Sequence, residues 1–282
     1  MQYVIVNPYE HPDNDYIRLQ IEAIRKAGYM PVPQAGNIMK SDYILYNWME
    51  NVDGNHKVVV IAKKIIRLLQ FKLLRKKLIW VMHNKHPHEN SYKFGLFMMK
   101  VMIFMSDKIM ILCDETIPAL MEITTRKKVL GKVFKVPLIS YESIVGEMAE
   151  APIGGKLSIL LFGQIKPYKG VEVLLEALQD EYLQQNTIVT IVGKCNDQKY
   201  LNQISERIGA LHNVSYQNRF IELSELKKIV KGIHLLVLPM DIKSSLNSSA
   251  AMMAFSLRRT VICPNIGTVR EYRRHGQNYM YT

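Results

Sequence analysis

The chain has 282 residues, 48% of them apolar, with three cysteines and a formal net charge of +12. That length and composition suit two packed domains and exclude a disordered or disulfide-stapled chain. Cys113, Cys195 and Cys263 are widely spaced and form no CxxC, which fits a reducing compartment and excludes a cysteine-rich zinc site.

In chain order, apolar runs alternate with helical periodicity, the pattern of parallel sheets covered by helices. The first half predicts strands near 2–6, 43–47, 57–60, 78–82, 108–112 and 133–136, and helices near 15–27, 61–76, 93–105 and 115–123. Asn14 or Asp15 is placed to cap the first helix, with Gly28 beyond its last turn. A second series predicts strands near 157–162, 187–192, 214–217, 234–238 and 260–263. Its helices fall near 170–180, 197–209, 223–231, 247–256 and 268–274. The expected division is therefore an α/β pair of Rossmann-like domains, 1–140 and 155–282. The stretch 137–156 carries prolines and a Gly-Gly pair and no clear periodicity, and within it 141–154 is read as the linker. The apolar start is broken at once by Asn7, Pro8 and Glu10, so no signal peptide is read. No run reaches the roughly 20 apolar residues that span a bilayer. A cytoplasmic location is expected.

The segment 157–178, LSILLFGQIKPYKGVEVLLEAL, is the most informative. A buried strand ends in Gly163, a polar turn follows, and Lys169-Gly170 opens a helix. Such a turn gathers free backbone N–H groups and a positive dipole end, and Lys169 adds a full charge, which suits a diphosphate. The pattern resembles the strand–Gly–Lys-Gly–helix segment of GT-B glycosyltransferases, above all family 4 and its relatives. In that family an Arg follows the Gly; here the position is Gln164, and Lys166 stands nearby.

Two further segments carry the resemblance. Residues 238–257 are similar to a bacterial polysaccharide subset whose helix opens with an Asn-Ser-Gly-Ser-like run, here Asn247, Ser248 and Ser249. Many family 4 enzymes place two Glu in this region; the corresponding positions here are Ser245 and Met253. The segment 81–90, VMHNKHPHEN, follows a strand where open α/β sheets hold ligands. His83 is implied near the donor sugar, with Asn84, His88 and Glu89 on the acceptor side. A metal reading of His86, His88 and Glu89 lacks helical i, i+4 spacing, and no metal is expected.

The loop after the first strand holds His11 and Asp13, either of which can take a proton from an acceptor hydroxyl; capping is the plainer role for Asp13. The loop with Arg219 and Phe220 is implied to read the nucleotide base. Residues 57–77 hold eight Lys or Arg and no acid. On a helix over 61–76, Ile61, Ile65, Leu68, Leu69 and Leu73 share one face, with Lys63, Lys64 and Arg67 opposite and Arg75 near the end. Such a basic amphipathic helix fits an anionic membrane surface. Nucleic acid is not expected, because no aromatics interleave with the lysines.

The resemblance implies a GT-B fold with two Rossmann-like domains facing a cleft. It implies metal-independent transfer of a sugar from a nucleotide-sugar, a substrate rather than a cofactor. The acceptor is a saccharide or lipid-linked saccharide, and the setting is cell-surface polysaccharide or capsule synthesis at the inner face of the plasma membrane. A catalytically degenerate GT-B binding subunit and a nucleotide-sugar 2-epimerase are the alternatives. The closing helices usual in the family are not in this sequence, and exposed apolar surface is expected in consequence.

Overall fold

In the computed structural model the described residues are 1–10, 14–52, 56–87, 92–243, 245–272 and 278–281. They divide into two compact units, Met1–Ile139 and Ser140–Thr282.

The first unit is built on a six-stranded parallel sheet. Its strands are β1 (Tyr3–Asn7), β2 (Met30–Val32), β3 (Tyr43–Asn47), β4 (Lys77–Met82), β5 (Lys108–Ile111) and β6 (Val133–Lys135), ordered β2-β1-β3-β4-β5-β6. The order reverses between β1 and β3. Helices α1 (Asp15–Lys26), α2 (Lys57–Leu73), α3 (Tyr92–Met105) and α4 (Thr116–Ile123) make the connections. Asn14 caps α1 by accepting from Tyr16 N at 3.1 Å, and Asp15 in its first turn and Lys26 in its last both suit the dipole. The core gathers Trp80, Phe71, Leu68, Leu78, Met98, Met99 and Met102, all fully buried. Strands such as Leu78–Met82 are near-continuous apolar runs because a parallel sheet is covered on both faces.

Two expectations are corrected here. Residues 57–60, read as a strand from their valines, form the first turn of α2. Their β-branching is outweighed by the 3.6-residue period that Ile61, Leu68 and Phe71 impose, all three buried. The faces of α2 also differ from the expectation. Leu69 and Leu73 are exposed, whereas Lys64 Nζ turns inward to the carbonyls of Met49 and Asn51. Arg67 turns back onto Gln34 and Tyr46. Lys63 and Arg75 face solvent.

The second unit holds another six-stranded parallel sheet, ordered β12-β11-β10-β7-β8-β9. Here β7 is Leu157–Phe162, β8 Thr187–Val192, β9 Val214–Gln217, β10 Leu235–Val237, β11 Thr260–Pro264 and β12 Asn278–Tyr281. Helices α5 (Glu142–Val145), α6 (Val171–Ala177), α7 (Glu181–Asn186), α8 (Gln198–Gly209), α9 (Leu223–Val230), α10 (Ser249–Ser256) and α11 (Gly267–Tyr272) complete it. The helix expected over 170–180 ends at Ala177, and α7 follows it, capped by Asp180, which accepts from Leu183 N at 2.9 Å. The order reverses between β7 and β10, and ligands of open α/β sheets sit outside the carboxyl ends of strands at such a point.

Residues 140–150 pack on this second unit. The buried Arg259 donates to Ile233 O at 2.9 Å, Val230 O at 3.0 Å, Ala149 O at 2.9 Å and Glu150 O at 3.3 Å. Ser256 Oγ accepts from Tyr141 N at 3.0 Å, and Lys227 donates to Val145 O. Seven carbonyl-directed donations from one guanidinium explain how it is buried without a carboxylate partner among the described residues.

Candidate functional site

In the second unit, β7 delivers the chain into Gly163 at φ +109°, and Ile165 N then bonds Lys194 O at 3.0 Å. A single 3₁₀ turn, Pro167–Lys169, leads to Gly170 at φ +68°, where α6 begins. Only glycine suits Gly170 twice over: the φ is left-handed, and a Cβ there would strike the carbonyl of Pro239. A Cβ on Gly193 would likewise strike the carbonyl of Gly163. The turn after β7 is thus seated against the loop after β10, and Asp241 N bonds Tyr168 O at 2.9 Å across the seam.

Between the two loops lies a small depression lined by Leu161, Phe162, Gln164, Lys169, Leu238 and Met240. Lys169 is half-buried in this mostly apolar wall, with its Nζ 5.3 Å from the centroid of the Tyr168 ring. Burial, and secondarily the like charge of Lys166, push its pKa down to about 8. No carboxylate bridges it among the described residues. An ammonium held this way is one that an incoming anion stabilises.

The Asn-Ser run sits in the loop leading to α10. Ser248, buried, caps α10 by accepting from Ala251 N at 3.1 Å. Asn247 Oδ1 accepts from Thr268 Oγ1 at 2.8 Å, tying this loop to α11. Ser249 is exposed at the first helical position, and Ser245 N bonds Asp241 O at 3.0 Å. The side chains of Asn247 and Ser248 therefore shape the loop, while the α10 N-terminus supplies its dipole.

At the end of β9, Arg219 makes a two-pronged ion pair with Glu225 and also donates to Gln217 and to the carbonyl of Phe220. The pair raises Arg219 and lowers Glu225 in pKa, mainly through their shared hydrogen bonds. Arg219 holds the loop, and Phe220 stands exposed at its tip. Asn218 Oδ1 accepts from Cys195 N at 2.8 Å, joining the loops after β8 and β9.

In the first unit, His83 follows β4 and is buried. Its ring stacks on Trp48 with centroids 4.4 Å apart and meets the edge of Tyr16 at 5.2 Å. Nε2 lies 2.8 Å from Asn47 Oδ1. Asn47 Nδ2 donates to Gln20 Oε1 at 2.9 Å, and Gln20 Nε2 to Tyr16 OH at 2.9 Å. In that chain Asn47 Oδ1 is the acceptor, so His83 carries its proton on Nε2. Burial pushes its pKa down to about 3, so it is a neutral hydrogen-bonding group and a weak base. Glu50, fully buried, is raised in pKa by desolvation, accepts from Trp80 Nε1 at 3.3 Å and bonds Asn84. His11, Asp13, His88 and Glu89 lie outside the described residues.

Sequence reasoning missed Tyr168 and Pro239. The Lys169-Gly170 pair was the available signal for a close approach, but not for which residue it meets.

Residues 156–282 match the family described as Glycosyl transferases group 1. The whole chain superposes on Anabaena HepE, crystallised with UDP-glucose, with a TM-score of 0.66 at 11% identity, covering 100% of this chain and 85% of that one. A glycosyltransferase from Rickettsia africae gives 0.64 at 13% identity, over 99% and 83%. The chain therefore has the GT-B fold. A GDP-mannose:glycolipid 4-beta-D-mannosyltransferase from Xanthomonas campestris pv. campestris is 32% identical over 106 residues. That match covers 38% of this chain and 30% of the relative, so the likeness spans less than a third of the relative's length. The distant structures establish the GT-B fold alone.

Gln164, the position at which the resemblance implies an Arg, lines the depression. Met253 is buried.

Proposed function

We propose that the chain transfers a sugar from a nucleotide-sugar to a saccharide or lipid-linked saccharide acceptor in cell-surface polysaccharide synthesis, at the inner face of the plasma membrane. One observation carries the reading: Lys169, its pKa depressed, lines a depression at the strand-order reversal between β7 and β10. The leaving diphosphate gains charge in the transition state. Preorganised donors aimed at it are what accelerate transfer. Lys169, Lys166, the backbone N–H groups near Gly170 and the α10 N-terminus beyond Ser248 fill that role. Phe220 covers the base, Ser245, Asn247 and Ser249 border the sugar, and Gly163 leaves room for the phosphates.

The acceptor side falls to the first unit, with His11, Asn84, His88 and Glu89. Asp13 takes the acceptor's proton, since the neutral His83 is too weak a base and serves as a hydrogen-bond donor. No metal is required by this scheme. HepE was crystallised with UDP-glucose and the Xanthomonas relative is named for GDP-mannose and a glycolipid, which makes UDP- and GDP-sugars the first donors to try.

The test is a thermal-shift screen against UDP-, GDP- and CMP-sugars, followed by product analysis with whichever stabilises. Stabilisation and turnover that Lys169→Ala removes support the reading; no response to any nucleotide-sugar refutes it. Gln164, Ser245 and Met253 in place of the family's charged residues favour a second reading, a GT-B subunit that binds without turnover. It predicts stabilisation with no product.

A further inference from the structure

The outer face of α2 is apolar where a water-facing helix is ordinarily polar. At about 100° per residue, Val58, Leu69, Ala62, Leu73, Ile66 and Val59 fall side by side on one arc. All six are exposed, Leu73 at 84% and Val58 at 69%. The opposite arc is already spent on the core through Ile61, Leu68 and Phe71.

The neighbouring helix extends the feature. α3 packs on α2, with Lys57 Nζ 5.9 Å from the centroid of Phe94. It exposes Phe94, Phe97 and Phe104, the last at 73%. Its C-terminal carbonyls are not left bare: Lys132 donates to Ile103 O, Phe104 O and Ser106 O at 2.8 to 3.2 Å. Neither helix contains an Asp or Glu, and Lys63, Lys93 and Lys100 are exposed on them. No helix among the described residues is long and apolar enough to cross a membrane.

We propose that the outer faces of α2 and α3 are a membrane-insertion surface that enters the headgroup–acyl boundary of an anionic bilayer. Val58, Ile66, Leu69, Leu73, Phe97 and Phe104 enter the apolar layer, and Lys63, Lys93 and Lys100 meet the lipid phosphates. The charge complementarity selects the occupant: an apolar centre with lysines and no acid matches an anionic lipid surface. A nucleic acid would leave the apolar centre wet. The proposal rests on the reading of a lipid-linked acceptor, and it differs from adhesion by charge. Lys64 is engaged by the carbonyls of Met49 and Asn51, and Arg67, though exposed, bends back onto Gln34, so the apolar side chains are the anchor.

The test is co-sedimentation of the full chain with vesicles of phosphatidylglycerol and, separately, of phosphatidylcholine. Binding to the anionic vesicles is expected to persist in part at about 0.5 M salt, where exposed charges are screened within a few Å. Phe97→Trp is expected to blue-shift its emission on adding those vesicles. Ile66→Glu/Leu69→Glu/Phe104→Glu is expected to lose at least about tenfold in partitioning with an unchanged melting temperature, since all three sites are exposed. Unchanged partitioning of the triple variant, complete release of the wild type by salt, or equal binding to both vesicle types overturns the proposal. So does a wild-type dimer that the triple variant dissociates, which assigns the face to a second copy. The nucleotide-sugar thermal shift reads the other proposal separately: it is expected to be the same in wild type and triple variant. Vesicle binding without any nucleotide response sinks only the transferase reading.

Discussion

Lys169 carries a charge that its surroundings penalise. Its pKa lies near 8 against an ordinary 10.5, so the unfolded chain holds that proton more tightly than the folded one. Between those two values folding therefore releases a proton, and stability is expected to rise with pH over that window. Lys169→Met should show a smaller rise in a pH series of melting curves. A bound diphosphate favours the charged form, so nucleotide affinity should fall as pH climbs from about 8 to 9.5. Lys169→Arg, whose charge does not titrate there, should flatten that fall. At neutral pH, Lys169→Ala should cost about 1.5–3 kcal/mol of nucleotide binding, the range for a charge-assisted hydrogen bond, measurable by calorimetry. His83 offers a contrasting case. Its ring is a buried donor to Asn47, and His83→Ala should destabilise by about 1–3 kcal/mol through the orphaned acceptor, read by denaturant unfolding.

At the scale of elements, the strands were largely legible. Residues 43–47, 157–162, 187–192 and 214–217 form strands with the bounds their apolar runs indicate. β2 escaped notice because Met-Pro-Val is three residues long beside a proline, too short for any period to show. The first turn of α2 misled because three valines imitate a strand. The inward face of α2 was misassigned for a different reason: the helix has two apolar stripes, and periodicity cannot say which one the sheet takes. The candidate site followed the same division. Gly163, Lys169 and Gly170 announce themselves as a phosphate-type turn, whereas the seat on Pro239 depends on chain 69 residues later. Ser248 reads equally as ligand or cap, and the structure shows the cap. Ser248→Ala should therefore cost about 1 kcal/mol of stability, with nucleotide affinity changing less than for Lys169→Ala.

Across the whole molecule, each unit repeats one device: a parallel sheet whose strand order reverses between two neighbours, β1 and β3 in one, β7 and β10 in the other. The stretch between them is not slack. Arg259 grips the carbonyls of Ala149 and Glu150, and Tyr141 N is bonded to Ser256. A second-unit fragment starting at Ser140 is expected to melt about 5 °C or more above one starting at Lys156, because the shorter one leaves buried guanidinium donors without acceptors.

The seat of Gly170 on Pro239 has a kinetic corollary. With one loop propped on the other, little of the ordering of that wall is left for the moment a nucleotide arrives. Association should then follow a single phase whose rate is linear in ligand concentration. A bulkier residue at position 170 would pry the two loops apart and add a slow, saturating isomerisation ahead of tight binding.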